Sequence, residues 1–470
     1  MTSPPSPAIV WFRRDLRTAD NPALAAAIAT GRRVIALYVH DEDAAFAPGG
    51  AQRWLLRHSL AALEKRLKKL GIPLILRSGA EEKTVAAVRA EAAAGSVFWN
   101  RRYAGEEIET DKAIKQALAA DNVDVKTFNG SLLREPWETE TKSGGPYKVY
   151  TPFWNSLRAE GPSRRLAPSP EKARAPAGDI ASENLDDWGF LPAEPNWASE
   201  FSQHWSAGED AAQKALETFL DERAASYRGM RDIPSVNGTS RLSPHLAVGS
   251  ISPLQIWTAT HAAIESGDVP SAEGEKFLSE LAWREFSYHL LFHNPQMPTK
   301  PLRPEFANFP WRKSRKDFDA WTRGETGVPI VDAGMRELWR TGWMHNRVRM
   351  IVASFLVKNL LLPWQWGERW FWDTLIDADP ANNTASWQWV AGSGADAAPY
   401  FRVFNPLTQA EKFDPDGDYI RNFAPHHIAA QKTNAKNRAD SGAPTHPIVD
   451  LAVSRKRALD AYQEMKSAAG

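Results

Sequence analysis

Three stretches in the second half of the 470-residue chain bring together side chains that could hold a flat, charged ligand. In Ser279–His293, read as a helix, Glu280, Trp283 and Arg284 stand at i, i+3 and i+4 and share one face. A carboxylate, an indole and a guanidinium side by side could hydrogen-bond a base, stack on it and hold its phosphate. The plainer reading is a surface ion pair beside a core tryptophan. In Trp343–Met350, also read as a helix, Asn346 stands four residues from Met350. Asn is mildly unfavourable inside a helix and so suggests a partner, whereas an exposed Asn near a helix start needs none. The third stretch, Leu375–Trp389, crowds Asp377, Asp379, Asn382 and Asn383 among aromatics, where burial is costly unless each group bonds something. Arg349 is the natural partner for Asp377. Upstream, Thr239-Ser240-Arg241-Leu242-Ser243 offers hydroxyls and backbone amides at a helix start, suited to a phosphate or to an ordinary N-cap.

Other chemistries lack their signals. Gly392–Ala397 fits G-x-G-x-x-A but follows a tryptophan-rich helical stretch instead of a strand, which argues against dinucleotide binding. There is no H-E-x-x-H among the 11 histidines, and His426-His427 falls in an expected loop, so no metal site is expected. The acids of 375–389 lack the EF-hand spacing and its closing Glu, and no G-x-S-x-G elbow occurs. With no cysteine, disulfides, thiolate metal sites and cysteine nucleophiles drop out, leaving redox chemistry to a cofactor or to aromatic side chains. Lys plus Arg and Asp plus Glu are equal at 57, so a DNA site must be a local patch. Thr299–Arg323 is a basic run that could be one, or a solvated loop. Of 20 tryptophans, 11 lie between Trp283 and Trp389, enough for a large core, an electron path or a stacking pocket. No apolar run reaches membrane-spanning length and the N-terminus lacks a secretory pattern, so a cytoplasmic protein is expected.

The elements that must position these residues form two patterns. Strand-like runs at Ala8–Phe12, Arg33–Val39, Pro73–Arg77, Ser96–Trp99 and Val123–Phe128 alternate with amphipathic stretches such as Ala51–Leu70. This predicts an α/β domain over 1–133 with a five-stranded parallel, Rossmann-like sheet. A Pro-, Gly- and charge-rich connection is expected over 134–200. Apolar stripes at Ala211–Leu220, Glu280–Phe292, Arg347–Leu362 and Ser454–Met465 predict an all-α domain over 201–470.

Six strings in order carry a resemblance: WFRRDLR at 11–17, GGPYKVYTPFW at 144–154, GTSRLSPHLAVGSISP at 238–253, ELAWREF at 280–286, GWMHNRVRMIVASFLVK at 342–358 and WQWVAGSGADAAPYFRVFNP at 387–406. Over nearly its whole length the chain resembles the photolyase/cryptochrome family, most nearly its bacterial cyclobutane pyrimidine dimer photolyases. The resemblance implies an N-terminal domain able to hold an antenna chromophore and a helical domain holding FAD. It assigns Tyr227, Thr239, Ser240, Arg241, Leu242 and Ser243 to the adenine–phosphate side of FAD. Phe277 and Ala378 join the cofactor set, and Arg349, Asp377, Asp379 and Asn383 surround the isoalloxazine. Trp387, Trp364 and Trp311 take the positions of the family's tryptophan triad. Glu280, Trp283, Asn346, Met350 and Trp389 match lesion-cavity positions, with Glu280 and Asn346 in catalytic roles and Glu280 a candidate proton donor. Arg231, Arg284, Arg347 and Arg402 match DNA-facing positions.

The activity that the resemblance implies is light-driven repair of pyrimidine dimers in ultraviolet-damaged DNA, by a monomer without an obligate protein partner. A cryptochrome receptor is the rival outside catalysis. Plant-type cryptochromes usually carry an acid where this chain has Asn383 and lose the Trp and Met kept here as Trp283, Met350 and Trp389, and no long tail comes after the helical half. A (6-4) photolyase would need a histidine donor where Glu280, Asn346 and Met350 stand. A light-independent flavin reductase would need a nicotinamide site. For the antenna, Glu107 matches a folate-binding position and favours methenyltetrahydrofolate. The loop His40–Arg53 departs from the folate pattern, and Asn100–Tyr103 would suit a deazaflavin.

Overall fold

The computed structural model describes residues 6–174, 180–396, 402–432 and 446–468. Residues 397–401, inside the last of the six strings and at the end of the G-x-G-x-x-A match, lie outside them. By packing the chain divides into two compact units: Met1–Asn196 with Trp205–Ala225 and Ser240–Pro295, and Trp197–His204 with Ser226–Thr239 and Gln296–Gly470.

The first unit is built on β1 (Ala8–Phe12), β2 (Val34–His40), β3 (Leu74–Ser78), β4 (Ser96–Asn100) and β5 (Asp124–Phe128), each within about a residue of its expected place. All are parallel, in the order β3-β2-β1-β4-β5. Strands β1, β2 and β4 are buried throughout, which is why they read as continuous apolar runs instead of alternating ones. Helices α1 (Pro22–Ala29), α2 (Gly50–Lys69), α3 (Glu81–Glu91) and α4 (Gly105–Ala120) form the crossovers. The strand order reverses at β1. A crevice therefore opens at the carboxyl ends of β1 and β4, the usual ligand position in an open α/β sheet.

The expected boundary at 200/201 is not where the packing divides. Helices Glu209–Glu222, Pro253–Ser266 and Ser271–His293 belong with the sheet. Buried polar bonds between residues more than 150 apart hold them there, and hydrophobic periodicity cannot show such bonds. The Glu209 carboxylate accepts from the Thr18 amide at 2.7 Å and hydroxyl at 2.9 Å. Ser252 Oγ donates to Asp20 at 2.5 Å, and Glu285 accepts from the Leu133 amide at 2.6 Å. The expected connection over 134–200 contains helix α5 (Tyr150–Glu160) and continues past the edge strand β3, where Leu76 N donates to Ser182 Oγ at 3.0 Å.

The second unit packs the helices Pro329–Thr341, Asn346–Ser354, Trp364–Thr374 and Pro380–Ala391 around one apolar core that includes Trp321, Trp364, Trp387 and Tyr419. Two expectations fail here. The stripe Arg347–Leu362 is not one α-helix: it becomes a π-helical turn at Phe355–Asn359, a local widening that leaves the apolar pattern intact. His426 and His427 lie in the helix Pro425–Lys432 and not in a loop, because His427 Nε2 bonds Asp332 in the core at 2.9 Å. No helix among the described residues is long and apolar enough to cross a membrane.

Candidate active site

The long helix Ser271–His293 presents Glu280 and Trp283, both half-buried, one turn apart. Lys276 Nζ lies 2.6 Å from Glu280, an i, i+4 ion pair. The Trp283 indole lies flat against Tyr150 of α5, with ring centroids 3.6 Å apart and planes 8° from parallel. Phe277, on the buried side, packs on Phe219 at 4.5 Å. Arg284 departs from its expected DNA-facing place. Its guanidinium donates to Ser131 O at 2.9 Å and to Glu285 at 2.8 Å, and only 11% of the side chain is exposed. The partner that draws it in is Glu285, whose carboxyl burial pushes up to about 7 while the Arg284 guanidinium beside it opposes that shift.

Ser240, Arg241, Leu242 and Ser243 belong to the same unit and lead into the short helix Ser243–Val248. The cap position is Leu242 without a side-chain cap bond, so the N-cap reading of this pentad does not hold. Arg241 has φ +53°, a left-handed conformation that non-glycine residues rarely adopt.

In the second unit Arg349 Nη2 bonds Asp377 Oδ2 at 2.9 Å, while its Nε donates to Met344 O at 2.7 Å. Asp377 Oδ1 is buried and has no hydrogen-bond partner among the described residues. After buried Ala378, Asp379 caps the helix Pro380–Ala391, accepting from Ala381 N at 3.1 Å and Asn382 N at 2.8 Å. Asn383 Nδ2 donates to Glu368 O at 3.0 Å, and among the described residues its amide oxygen accepts no hydrogen bond. Thr384 Oγ1 donates to the Glu368 carboxyl at 2.9 Å, which fixes the same pair of helices; burial raises that carboxyl's pKa. Tyr227, buried, and Thr239 also fall in this unit. Arg231 lies 3.8 Å and Arg347 3.0 Å from Asp232, and Arg347 also covers the Phe413 ring. Asn346 is the exposed first residue of its helix, Met350 and Trp389 are half-buried and Arg402 is exposed.

Trp387 and Trp364, each 2% exposed, sit in the apolar core, and half-buried Trp311 packs against its edge. The Trp387 ring fits against the helix that Trp364 begins only because residue 367 is glycine: a Cβ there would lie 2.1 Å from Trp387 Cη2. Trp387 also meets Phe371 edge-on at 5.0 Å and Trp321 at 6.2 Å, two rings that no sequence pattern marks out. The basic run Thr299–Arg323 is largely self-neutralised, with Arg303 paired to Glu305, Arg312 to Asp317 and Arg323 to Glu325.

The crevice over the sheet is a cleft of about 380 Å³ lined by Arg14, His40, Glu81, Arg102 and Glu107 among others. Arg14 pairs with Glu107 at 2.5 Å and Arg102 with Glu81 at 2.7 Å. Glu107 Oε2 is buried without a partner among the described residues. Arg101 instead pairs with Glu135 outside that lining, and no metal-binding cluster occurs among the described residues.

With this geometry in place the comparisons are specific. Residues 8–175 match the family model "DNA photolyase" and residues 277–464 match "FAD binding domain of DNA photolyase". The chain is 49% identical to a deoxyribodipyrimidine photo-lyase of Agrobacterium fabrum, covering 98% of both. It superposes on a bacterial class III photolyase from Agrobacterium tumefaciens with a TM-score of 0.94, 48% identity and 99% coverage of each chain. It is 37% identical to cryptochrome-1 of Arabidopsis thaliana over 89% of this chain and 62% of that protein. The chain belongs to the DNA photolyase/cryptochrome family. Its cofactor is FAD, and the residues of the second unit fit it. A buried carboxylate oxygen of Asp377 and the amide oxygen of Asn383, neither bonded among the described residues, suit a ring that brings its own N–H.

Proposed function

We propose that the chain is a light-driven carbon–carbon lyase that repairs cyclobutane pyrimidine dimers in DNA. Reduced FAD, when bound, supplies a light-excited electron that returns once the ring's two carbon–carbon bonds have opened, so the reaction is redox-neutral. The observation that carries the reading is the face of the long helix where a backed, half-buried indole stands beside a carboxylate. Trp283 offers its open face to an extruded base, and Trp389 of the second unit takes a stacking role from its family position alone. Stacking is worth ~1–3 kcal/mol per base, and extrusion, the general mode of photolyases, costs a few kcal/mol and least for a damaged pair. Glu280 exchanges Lys276 for the polar edge of the dimer, and Asn346 and Met350 of the second unit take lesion-contact roles from their family positions alone. Arg231, Arg347 and Arg402 meet phosphates; Arg284 is released from that role by its inward bonds. Arg349, Asp377, Ala378, Asp379 and Asn383 hold and orient the flavin ring; Tyr227 and Thr239 of the same unit, and Phe277 and 240–243 of the first, take nucleotide-side roles from their family positions alone. Trp387, Trp364 and Trp311 lead electrons inward from the edge of the core.

The cleft over the sheet is the antenna site in this reading, and methenyltetrahydrofolate is favoured over a deazaflavin because the unpartnered Glu107 oxygen suits the donors of a pterin. The protein acts in the cytoplasm as a monomer. A (6-4) chemistry is disfavoured by His345: burial pushes it down to about 4 and its Nδ1 is taken by the Arg347 amide. The test is dimer loss from a thymine-dimer oligonucleotide by the purified, reduced holoprotein under blue light and in the dark. Loss in the light alone, with (6-4) photoproduct untouched, is expected; equal dimer content in both arms refutes the reading.

A further inference from the structure

We propose that Tyr150 is a positioning residue for substrate recognition, turning Trp283 into a rigid stacking plate and thereby setting the preference for damaged over intact DNA. The inference rests on Trp283 being a base-stacking residue. Aromatic pairs ordinarily choose offset or edge-on geometry, so parallel rings 3.6 Å apart need an outside constraint. The surroundings supply it. The Tyr150 hydroxyl donates to the Ser279 carbonyl and lies 3.0 Å from Ser279 Oγ, tying it to the helix that carries Trp283. Phe286 meets both rings edge-on, at 5.9 Å from Tyr150 and 6.0 Å from Trp283. Burial together with Glu280 nearby raises the phenol pKa, so Tyr150 stays a neutral donor.

Tyr150 is buried whereas Trp283 is half-buried. Tyr150 covers one indole face, so a base can stack only on the other. An unsupported indole samples several rotamers and loses that freedom when a base stacks on it. A clamped one has already lost it, and such preorganisation is returned as affinity. Because the gain arises only where a base stacks, it raises affinity for an extruded dimer and leaves phosphate contacts alone.

Dark Kd values of the FAD-loaded full chain for a thymine-dimer oligonucleotide and its undamaged twin test this, with flavin absorbance and repair yield at saturating DNA as companion readouts. Tyr150→Leu is expected to lower the damaged-to-undamaged affinity ratio roughly three- to ten-fold, with undamaged binding and flavin absorbance kept. Tyr150→Phe, which keeps the ring against Trp283 but loses the bond to Ser279, should give a ratio between those of wild type and Tyr150→Leu. A wild-type ratio in Tyr150→Leu overturns the proposal, as does a loss in Tyr150→Phe equal to that in Tyr150→Leu. Should Tyr150→Leu fail to fold, Tyr150→His must give an intermediate ratio, and a wild-type ratio there overturns the proposal equally. A wild-type protein with no preference for the dimer would instead sink the functional reading beneath it.

Discussion

The cleft over the sheet and the polar set around Asp377 are both charged groups in apolar frames, yet they are balanced differently. In the cleft each arginine meets an acid, Arg13 with Asp111, Arg14 with Glu107 and Arg102 with Glu81, and the buried Glu107 Oε2 has no partner among the described residues. In the second unit Asp377 has one ion pair, with Arg349, and among the described residues no second cation pairs with it. Removing one partner of a buried pair leaves an uncompensated charge, at a cost of about 3–5 kcal/mol. Breaking one pair in the cleft leaves other charges at hand, as Arg102 also meets Asp111, whereas Asp377 keeps no other cation among the described residues.

The sharpest break of this contrast is Arg349→Ala. It leaves Asp377 charged and alone, and should cost about 3–5 kcal/mol of stability together with the bound flavin, read by denaturation and by absorbance. Next is Glu280→Ala, which removes a charged hydrogen-bonding group worth ~1.5–3 kcal/mol. Repair at saturating DNA should fall by at least about tenfold with flavin content kept, and an undiminished yield would remove Glu280 from the mechanism.

Acid is the third lever. Burial holds His345 at about 4, below its unfolded value, so the unfolded chain binds more protons between about 6.5 and 4. Stability is therefore full above about pH 6.5 and is lost as pH falls through that window, at ~1.4 kcal/mol per pH unit for such a group. His40 in the cleft is also lowered by burial, but Glu42 beside it opposes the shift. His345→Asn, which keeps an acceptor for the Arg347 amide, should shrink the loss between pH 7 and 5 by about 2 kcal/mol. An unchanged pH profile would contradict this.

Two smaller effects sharpen the picture. Gly367→Ala places a methyl 2.1 Å from Trp387 Cη2 and should cost ~1–3 kcal/mol through overpacking. It should also slow photoreduction of the oxidised flavin, because Trp387 must move; an unchanged photoreduction rate would detach Trp387 from the path. Glu107→Gln should remove the near-ultraviolet antenna band while flavin absorbance stays, and a retained band would place the antenna elsewhere.

The sheet was legible because its central strands are continuous apolar runs bounded by turns, and all five lie within about a residue of their expected places. The pairing of Arg349 with Asp377 was legible because a buried carboxylate needs a cation. Arg284 was not: i+4 spacing places a side chain on a face but cannot say that buried Glu285 will claim it. Lys276, at i, i+4 from Glu280, was open to the same spacing argument. Tyr150 was not, since its contact joins two helices far apart in the chain, although it lies within the second of the six strings. Gly367 carried no signal, because the ring that needs the space comes from another helix.

The most direct test of the central claim, that the buried polar groups of the second unit hold a flavin ring, is the flavin released by heat from the purified, desalted protein, quantified for wild type and Asp377→Ala. The account predicts stoichiometric FAD in the wild type and little in the variant. A colourless wild-type protein that takes up no FAD on incubation would contradict it.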